Sequence, residues 1–221
     1  MREEEWLACA DPLPMLEFLK GRVSNRKLRL FACACCRQGW RRLTNPYLRL
    51  AVETAEQYAD NQTTQEELAK ARAAAWSVNQ MRHEHAIAAA RATVRESAWA
   101  AAREAQQQMI QQIWKKVERG WATAPEEKKT SQRRQSDLLR CIIGDPFYPA
   151  AVDPYWLVWN NATIAKLASL ISDERAFDRL PILADALEEA GCGNADFLNH
   201  CRQVGEHVRG CWVVDLILGK E

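Results

Sequence analysis

Apolar side chains recur at helical spacing along most of this chain. On a helical wheel of about 100° per residue, residues 25–43 gather six small or apolar side chains on one face: Leu28, Phe31, Ala32, Cys35, Gly39 and Leu43. Arg26, Arg37 and Arg41 fall on another face of the same wheel. The pattern predicts an amphipathic helix with one buried face and one basic face.

Capping residues mark where several helices begin. Two pairs place an N-cap residue directly before a proline: Asp11-Pro12 and Asn45-Pro46. Ser24 is predicted to cap the helix that follows it, and Thr64-Gln-Glu-Glu67 forms a capping box. Further helices are predicted over about 176–190 and 195–202, and the apolar tail 211–218 favours a last one.

The middle of the chain contains no helix-breaking residue for more than fifty positions. Neither glycine nor proline occurs between Gln65 and Gly120, and one straight helix of that length would extend roughly 80 Å. We therefore expect residues 61–121 to form a long Ala-rich arm, either one projecting helix or a hairpin of two. Residues 122–136 lack apolar periodicity and are predicted to be a flexible charged loop.

Composition supports an all-α class. The 221 residues include only 9 glycines and 8 prolines, and the long stretches between them consist mainly of strong helix formers. We predict an irregular multi-helix body in which residues 1–60 and 137–221 fold together, with the arm attached to it. Apolar residues make up 48% of the chain, which is enough for a substantial core.

The net charge and the N-terminal sequence limit which kinds of partner the protein is expected to bind. The formal charge of +1 gives no overall field that would attract nucleic acid or an anionic membrane. The start Met1-Arg-Glu-Glu-Glu-Trp6 differs from a secretory signal, and no apolar run has the length of a membrane span, so we expect a cytoplasmic protein without a membrane partner. Its 8 cysteines are then expected to be reduced.

Three segments together resemble a known family. They are Glu5-Trp-Leu-Ala-Cys-Ala-Asp-Pro12, Arg26-Lys-Leu-Arg-Leu-Phe-Ala-Cys-Ala-Cys-Cys-Arg37 and His207-Val-Arg-Gly-Cys-Trp-Val-Val-Asp-Leu-Ile-Leu-Gly-Lys220. They look like an uncharacterised family of bacterial proteins that occurs in many paralogous copies in planctomycetes. The resemblance covers roughly residues 1–60 and 137–221, and because the family carries no established activity it implies a bacterial origin but no function.

Clustered cysteines and histidines raise the question of a metal site. Cys33 and Cys36 have CxxC spacing, and His207 and Cys211 have a spacing that occurs in zinc sites, so the two pairs can complete one tetrahedral shell. The alternative is that cysteines inside a predicted helix fill tight contacts as small apolar residues, and we favour it. Structural zinc is therefore the second interpretation, and no other cofactor is predicted.

A cysteine-dependent enzyme is a third interpretation. Cys33 or Cys36 would act as the nucleophile with His207 as the base, and nearby arginines would lower the thiol pKa. The sequence shows no strand-to-helix elbow, no glycine-rich oxyanion loop and no orienting partner for the histidine. We therefore predict no catalytic residues and favour a protein that is not an enzyme.

Binding to other macromolecules is the role that we favour. Nine tryptophans are many for a helical chain, and four of them are predicted to anchor a protein partner or self-association: Trp76, Trp99, Trp114 and Trp121. Nucleic-acid binding is a weaker alternative, since it requires the basic helix face together with a second group of cations: Lys115, Lys116, Arg119, Lys128, Lys129, Arg133 and Arg134. The prediction is a non-catalytic adaptor module, with a zinc-stabilised regulatory or nucleic-acid-binding module as the alternative.

Overall fold

The computed structural model describes residues 1–78, 84–118 and 124–220, with side chains at all of these positions except 84, 112–118 and 124–125. Within these ranges every regular element is a helix and none is a β-strand, which confirms the predicted all-α class. No helix in the described part of the chain combines the length and the apolar character needed to cross a membrane.

Twelve α-helices and two single turns of 3-10 helix make up the described structure. The α-helices are α1 (Glu3–Ala8), α2 (Pro12–Leu19), α3 (Asn25–Arg37), α4 (Pro46–Ala59), α5 (Gln65–Ser77), α6 (Glu84–Thr93), α7 (Ala98–Glu118), α8 (Ala124–Ile143), α9 (Pro154–Glu174), α10 (Leu180–Glu189), α11 (Ala195–Arg202) and α12 (Trp212–Leu218). The 3-10 turns span Trp40–Arg42 and Phe177–Arg179. The chain divides into two compact units, residues 1–139 and 140–221, and the division falls within α8.

The predicted helix starts are confirmed by their capping hydrogen bonds. In each case a side-chain oxygen accepts from a backbone N–H of the first turn: Asp11 from Leu13 at 3.1 Å, Ser24 from Lys27 at 3.2 Å, Asn45 from Tyr47 at 2.9 Å and Thr64 from Glu67 at 3.2 Å. These bonds satisfy backbone donors that have no partner within the helix. The predicted helices at 176–190, 195–202 and 211–218 also form, with α10 starting at Leu180 after a 3-10 turn.

Helix α3 forms the centre of the first unit. It packs against α4, α6 and α7, and every residue from Leu28 to Cys36 is buried. Its neighbours α6 and α7 present small buried side chains: Ala89, Ala90, Ala101, Ala102 and Ala105. Small residues let helix backbones approach closely, so the cysteines of α3 serve there as compact packing groups.

Where the structure describes it, the Ala-rich middle forms three helices instead of the predicted arm or hairpin. Helices α5, α6 and α7 lie in the first unit, where α6 and α7 pack on α3. The predicted arm at 61–121 and the predicted joint body of 1–60 and 137–221 thus differ from the observed grouping. Alanine side chains are small and apolar, so these helices can pack closely against α3, whose buried residues from Ala32 to Cys36 are also small.

The break between α6 and α7 is made by arginines from other helices. Arg29 of α3 donates to the carbonyl oxygens of Thr93, Arg95 and Glu96 at 2.7, 2.8 and 3.0 Å. Arg72 of α5 donates to the carbonyl oxygen of a neighbouring residue, Val94, at 2.8 Å. These bonds take the place of intrahelical ones, so the helix ends without a glycine or a proline.

The predicted charged loop at 122–136 is helical from residue 124 onward. Helix α8 runs to Ile143 and buries Leu138, Leu139 and Ile142 at its C-terminal end, while Arg133 and Arg134 are exposed. Glu, Lys, Arg and Gln are strong helix formers, and an apolar stripe in the last turns anchors the polar ones before it. Residues 122 and 123 lie outside the described part.

The second unit packs α9 to α12 around an aromatic and aliphatic core that also includes Cys141 at the end of α8. Helix α9 is interrupted at residues 159–162, where Asn160, Asn161 and Ala162 adopt left-handed backbone angles with φ of 47°, 56° and 60°. Asparagine tolerates this region better than alanine does. Beyond the break, Ile164, Ala168 and Ile171 face the core.

Candidate metal centre

Four side chains from separate parts of the second unit converge on one point. Cys141 lies in the last turn of α8, and His200 lies in the last turn of α11. His207 belongs to the connection between α11 and α12, and Cys211 occupies the N-cap position of α12. Taking one ligand atom from each residue, all four atoms lie within 4.8 Å of one another.

The individual distances approach those of a tetrahedral ion shell. His200 Nε2 lies 3.2 Å from Cys211 Sγ, and His207 Nδ1 lies 3.7 Å from Cys141 Sγ. With Zn–S near 2.3 Å and Zn–N near 2.0–2.1 Å, tetrahedral geometry separates the ligand atoms by roughly 3.3–3.8 Å. The four side chains can therefore reach a zinc ion by small movements.

Two glycines set the backbone on which these ligands stand. Gly144 ends α8 with φ of +73°, and its N–H donates to the carbonyl oxygen of Arg140 at 2.9 Å. Gly210 has φ of +93° directly before Cys211, whose N–H donates to the carbonyl oxygen of Val208 at 3.0 Å. Both turns use the left-handed region that glycine adopts without strain, so each presents a cysteine at a helix terminus.

The environment favours the thiolate form of Cys211. Burial raises the pKa of this thiol, but hydrogen bonds from Cys141, His200 and His207 outweigh it and bring the pKa well below its ordinary value. Since the thiolate is the species that binds metals, this environment lowers the free energy needed to deprotonate Cys211 for metal binding. Cys201, next in sequence to His200, shows the opposite effect, because burial raises its thiol pKa.

The imidazole rings are held by their surroundings. Gln203 contacts the second ring nitrogen of His200, with 3.2 Å between Gln203 Nε2 and His200 Nδ1. Because rotation of the amide exchanges its oxygen and nitrogen, Gln203 can accept Nδ1–H when Nε2 binds a metal. His207 Nε2 is buried and has no hydrogen-bond partner among the described residues. The rings of His200 and His207 meet edge to face, with centroids 4.8 Å apart.

Aromatic side chains enclose one side of the cluster. The ring of Trp212 lies 5.2 Å from that of His200 and 5.0 Å from that of Phe197. Trp156 continues the cluster, with its ring centroid 5.5 Å from Phe197. An apolar wall of this kind keeps water away from metal–thiolate bonds and fixes the orientation of the ligating ring.

The donor set fits a closed site for zinc. Two thiolates neutralise a divalent cation, and two imidazoles complete four ligands of intermediate softness, a combination that zinc prefers. Cys141, His200 and Cys211 are buried, while His207 is half-buried. All four positions of a tetrahedral shell are thus filled by protein atoms.

The structure gathers two of the four residues predicted as ligands. His207 and Cys211 belong to the cluster, and their companions are Cys141 and His200. Cys33 and Cys36 lie instead in α3 of the first unit, where both are buried. Burial raises the pKa of Cys33 well above its ordinary value and that of Cys36 to about 12, as expected for thiols that only pack.

Sequence reasoning missed Cys141 and His200. His200 adjoins Cys201, and neighbouring side chains on a helix point about 100° apart, so the two cannot bind one ion; only His200 joins the cluster. The spacing His200-x6-His207-x3-Cys211 places three ligands within 12 residues, which is a usable local signal. Cys141 gives no such signal, because 58 residues separate it from His200 and only the fold brings it near.

The four tryptophans predicted to anchor a partner have different surroundings. Trp76 is 48% exposed, and the guanidinium carbon of Arg91 lies 5.4 Å from its ring centre. Trp99 is half-buried, with Lys20 Nζ 5.5 Å from its ring centre. The predictions for the side chain of Trp114 and for Trp121 lie outside the described part of the chain.

Comparisons with known proteins add no assignment. No family model matches the chain, and no curated protein or solved structure is significantly similar to it. The resemblance to a planctomycete paralogous family therefore stays a prediction.

Proposed function

We propose that this protein is a non-catalytic helical binding module whose second unit is stabilised by a structural zinc ion bound to Cys141, His200, His207 and Cys211. The observation that supports this most is the convergence of four ligand atoms within 4.8 Å. Catalytic zinc sites keep one position open for water or substrate, whereas four protein ligands leave none. The ion would act by fixing the loop 203–211 to the ends of α8 and α11.

Burial favours a metal ligand over a nucleophile at Cys211. A depressed thiol pKa suits either role, so access to the sulfur decides between them. Cys211 has no exposed surface, and a substrate must reach a nucleophilic sulfur directly. The same argument applies to Cys33 and Cys36, which are buried and have raised thiol pKa values.

For the module as a whole we propose the predicted role in protein–protein interaction. Exposed large apolar side chains support it in the first unit, with Trp76 as the largest of them. A tryptophan at the surface supplies contact area at little entropic cost, which is why such residues dominate interface hot spots. Trp76→Ala is the variant with which a partner or self-association would be tested.

Metal content tests the zinc site. Protein purified without an immobilised-metal step should contain about one zinc per chain by elemental mass spectrometry, and Cys211→Ala and His207→Ala should lose it. Two controls should retain it: Cys192→Ala, which removes a buried cysteine of the same unit, and the double variant Cys33→Ala, Cys36→Ala. A metal-free wild type, or zinc lost only from the Cys33 and Cys36 variant, would contradict the assignment.

Cobalt substitution gives a readout that does not depend on variants. Loss of a ligand can itself unfold a small unit, so the wild-type apoprotein is titrated with Co²⁺. We expect a thiolate-to-cobalt charge-transfer band and strong d–d absorption, which are typical of a tetrahedral site with sulfur and nitrogen ligands. Weak octahedral absorption would mean that the four side chains do not bind the ion together.

A further inference from the structure

The two cysteines of the candidate metal centre hold their sulfur atoms close together. Cys141 Sγ and Cys211 Sγ belong to a set of ligand atoms that all lie within 4.8 Å of one another, and Cys141 donates a hydrogen bond to the Cys211 sulfur. A disulfide bond requires about 2 Å between the sulfur atoms, so the two atoms need to approach each other by less than about 3 Å. The fold thus places these two thiols within reach of a covalent bond.

Both cysteines stand at helix ends, where the backbone can adjust. Cys141 lies in the last turn of α8, which ends at Gly144, and Cys211 occupies the N-cap position of α12, directly after Gly210. Groups at a helix end lack part of the intrahelical hydrogen bonding that holds the middle of a helix. A small displacement of either sulfur atom therefore breaks few backbone bonds.

The connection between α11 and α12 is the most exposed part of the site. Residues 203–211, all of them described, form no helix; residues 203–206 are exposed, Val204 completely, and His207 is half-buried. A segment with so little buried surface opens locally at a low free-energy cost. His207 Nδ1 lies 3.7 Å from Cys141 Sγ, so opening uncovers this sulfur atom. Transient opening suffices for hydrogen peroxide, which is little larger than water, whereas a larger substrate needs a permanent cleft.

Other buried cysteines are poor targets for oxidation. Cys192 and Cys201 lie in the same unit, and burial raises the pKa of both thiols. Burial has the same effect on the thiol pKa of Cys33 and Cys36 in α3. A peroxide reacts with a thiolate, and a metal ion keeps the sulfurs that it binds deprotonated. Oxidation is therefore expected to select the two ligand sulfurs.

We propose that hydrogen peroxide oxidises Cys141 and Cys211 to a reversible disulfide and that the zinc ion is released as this bond forms. The inference rests on the proposed zinc site, whose regulation it describes. The Cys211 thiolate attacks one peroxide oxygen, so that an S–O bond forms, the O–O bond breaks and hydroxide leaves. The Cys141 sulfur then attacks the Cys211 sulfur, so that an S–S bond forms, the S–O bond breaks and a second hydroxide leaves. The two thiolates lose two electrons to the peroxide, and two protons from solvent convert the hydroxides to water.

The disulfide cannot hold the ion. Its sulfur atoms carry no negative charge, and His200 and His207 alone supply two of the four ligands that structural zinc requires. The oxidised unit keeps a covalent link between α8 and α12 but loses the tie between His200 and the connection 203–211. Peroxide would thus change the structure of this connection without unfolding the whole unit.

Zinc release and peptide mapping test this redox switch together. Full-length protein whose zinc content has been measured is treated with hydrogen peroxide, and released zinc is followed with a coloured chelator too weak to strip the untreated protein. We expect about one zinc and one disulfide per chain. Mass spectrometry of the unreduced tryptic digest identifies the linked cysteines, because they fall on different peptides: 141–166 with Cys141, 210–220 with Cys211, and 180–202 with Cys192 and Cys201.

Reversal and two variants provide the controls. A dithiol reductant followed by zinc should restore the original metal content, whereas zinc alone should not. After removal of zinc by a strong chelator without peroxide, zinc alone should suffice. Cys201→Ala and Cys192→Ala each remove a buried thiol of the same unit that is no ligand, so both variants should form the same disulfide and release the same amount of zinc.

The outcomes separate the switch from the zinc site on which it rests. Protein without zinc before treatment would contradict the zinc site and the switch together. Zinc-loaded protein that keeps its ion in peroxide, or releases it while peptides 141–166 and 210–220 stay unlinked, would overturn the switch alone. A disulfide absent from zinc-loaded Cys201→Ala would also overturn it, because Cys201 would then be the partner of the oxidised sulfur.

Discussion

Gly144 controls the position of Cys141 at the end of α8. Its φ of +73° lies in the left-handed region, and a Cβ atom built at this position would lie 3.0 Å from Cγ of Trp212. Trp212 in turn packs beside His200. Gly144 and Trp212 therefore lie next to two of the candidate ligands, Cys141 and His200. Only a residue without a side chain allows α8 to end here against the indole ring.

We predict that Gly144→Ala destabilises the second unit by about 2–4 kcal/mol, because backbone strain and overpacking add. Gly191→Ala is the matched control: Gly191 also has positive φ, at +87°, but a Cβ there meets nothing within 4 Å, so only the strain of about 1 kcal/mol applies. Urea unfolding of both variants measures the difference. Equal destabilisation would mean that the Trp212 contact relaxes freely.

Arg29 acts at the level of whole helices, because it ties α3 to the junction of α6 and α7. Its guanidinium is the hydrogen-bond donor for three carbonyl oxygens that no helix turn satisfies. Burial lowers the pKa of this group, so the charge is kept at a cost that the three bonds offset. The helices around it are alanine-rich and offer little surface for other anchoring.

Replacing Arg29 should lower the stability of the protein substantially. We expect Arg29→Met to lower the free energy of unfolding by about 3–5 kcal/mol, since three carbonyl oxygens lose a charged donor. Arg72→Met is the comparison, because Arg72 bonds one carbonyl of the same junction and is partly exposed, so about 1 kcal/mol is expected. Chemical denaturation measures both. A cost for Arg29→Met no larger than that for Arg72→Met would show that water replaces the guanidinium.

Helix starts could be predicted from the sequence because capping is local. Ser24 and Thr64 meet their backbone partners within three residues, and nothing distant alters that contact. The end of α6 has no glycine or proline and could not be predicted from the sequence. It depends on Arg29, which bonds to carbonyl oxygens 64 to 67 residues further along the chain. The same limit applies to the candidate metal centre: His207 and Cys211 are close in sequence, whereas Cys141 joins them only through folding.

At the scale of the whole molecule, the candidate metal centre belongs to one of two compact units. All four ligands lie between residues 140 and 221, and the core of this unit includes both cluster cysteines. About 80 residues form a small core, so a metal ion that joined three elements would add a large share of the stability of this unit. In small zinc domains, binding free energy is folding free energy, at about 10 kcal/mol or more.

Zinc removal should therefore destabilise the second unit more than the first. With a high-affinity chelator present, we predict that hydrogen exchange measured by mass spectrometry accelerates strongly in peptides from α11, α12 and the end of α8, because the ion no longer joins them. Peptides from α3 and α4, whose burial involves no ligand of the cluster, should keep their protection. Adding zinc back should restore the original pattern, which controls for irreversible damage. Unchanged exchange in the second unit, or equal loss in both, would mean that zinc does not stabilise the second unit selectively.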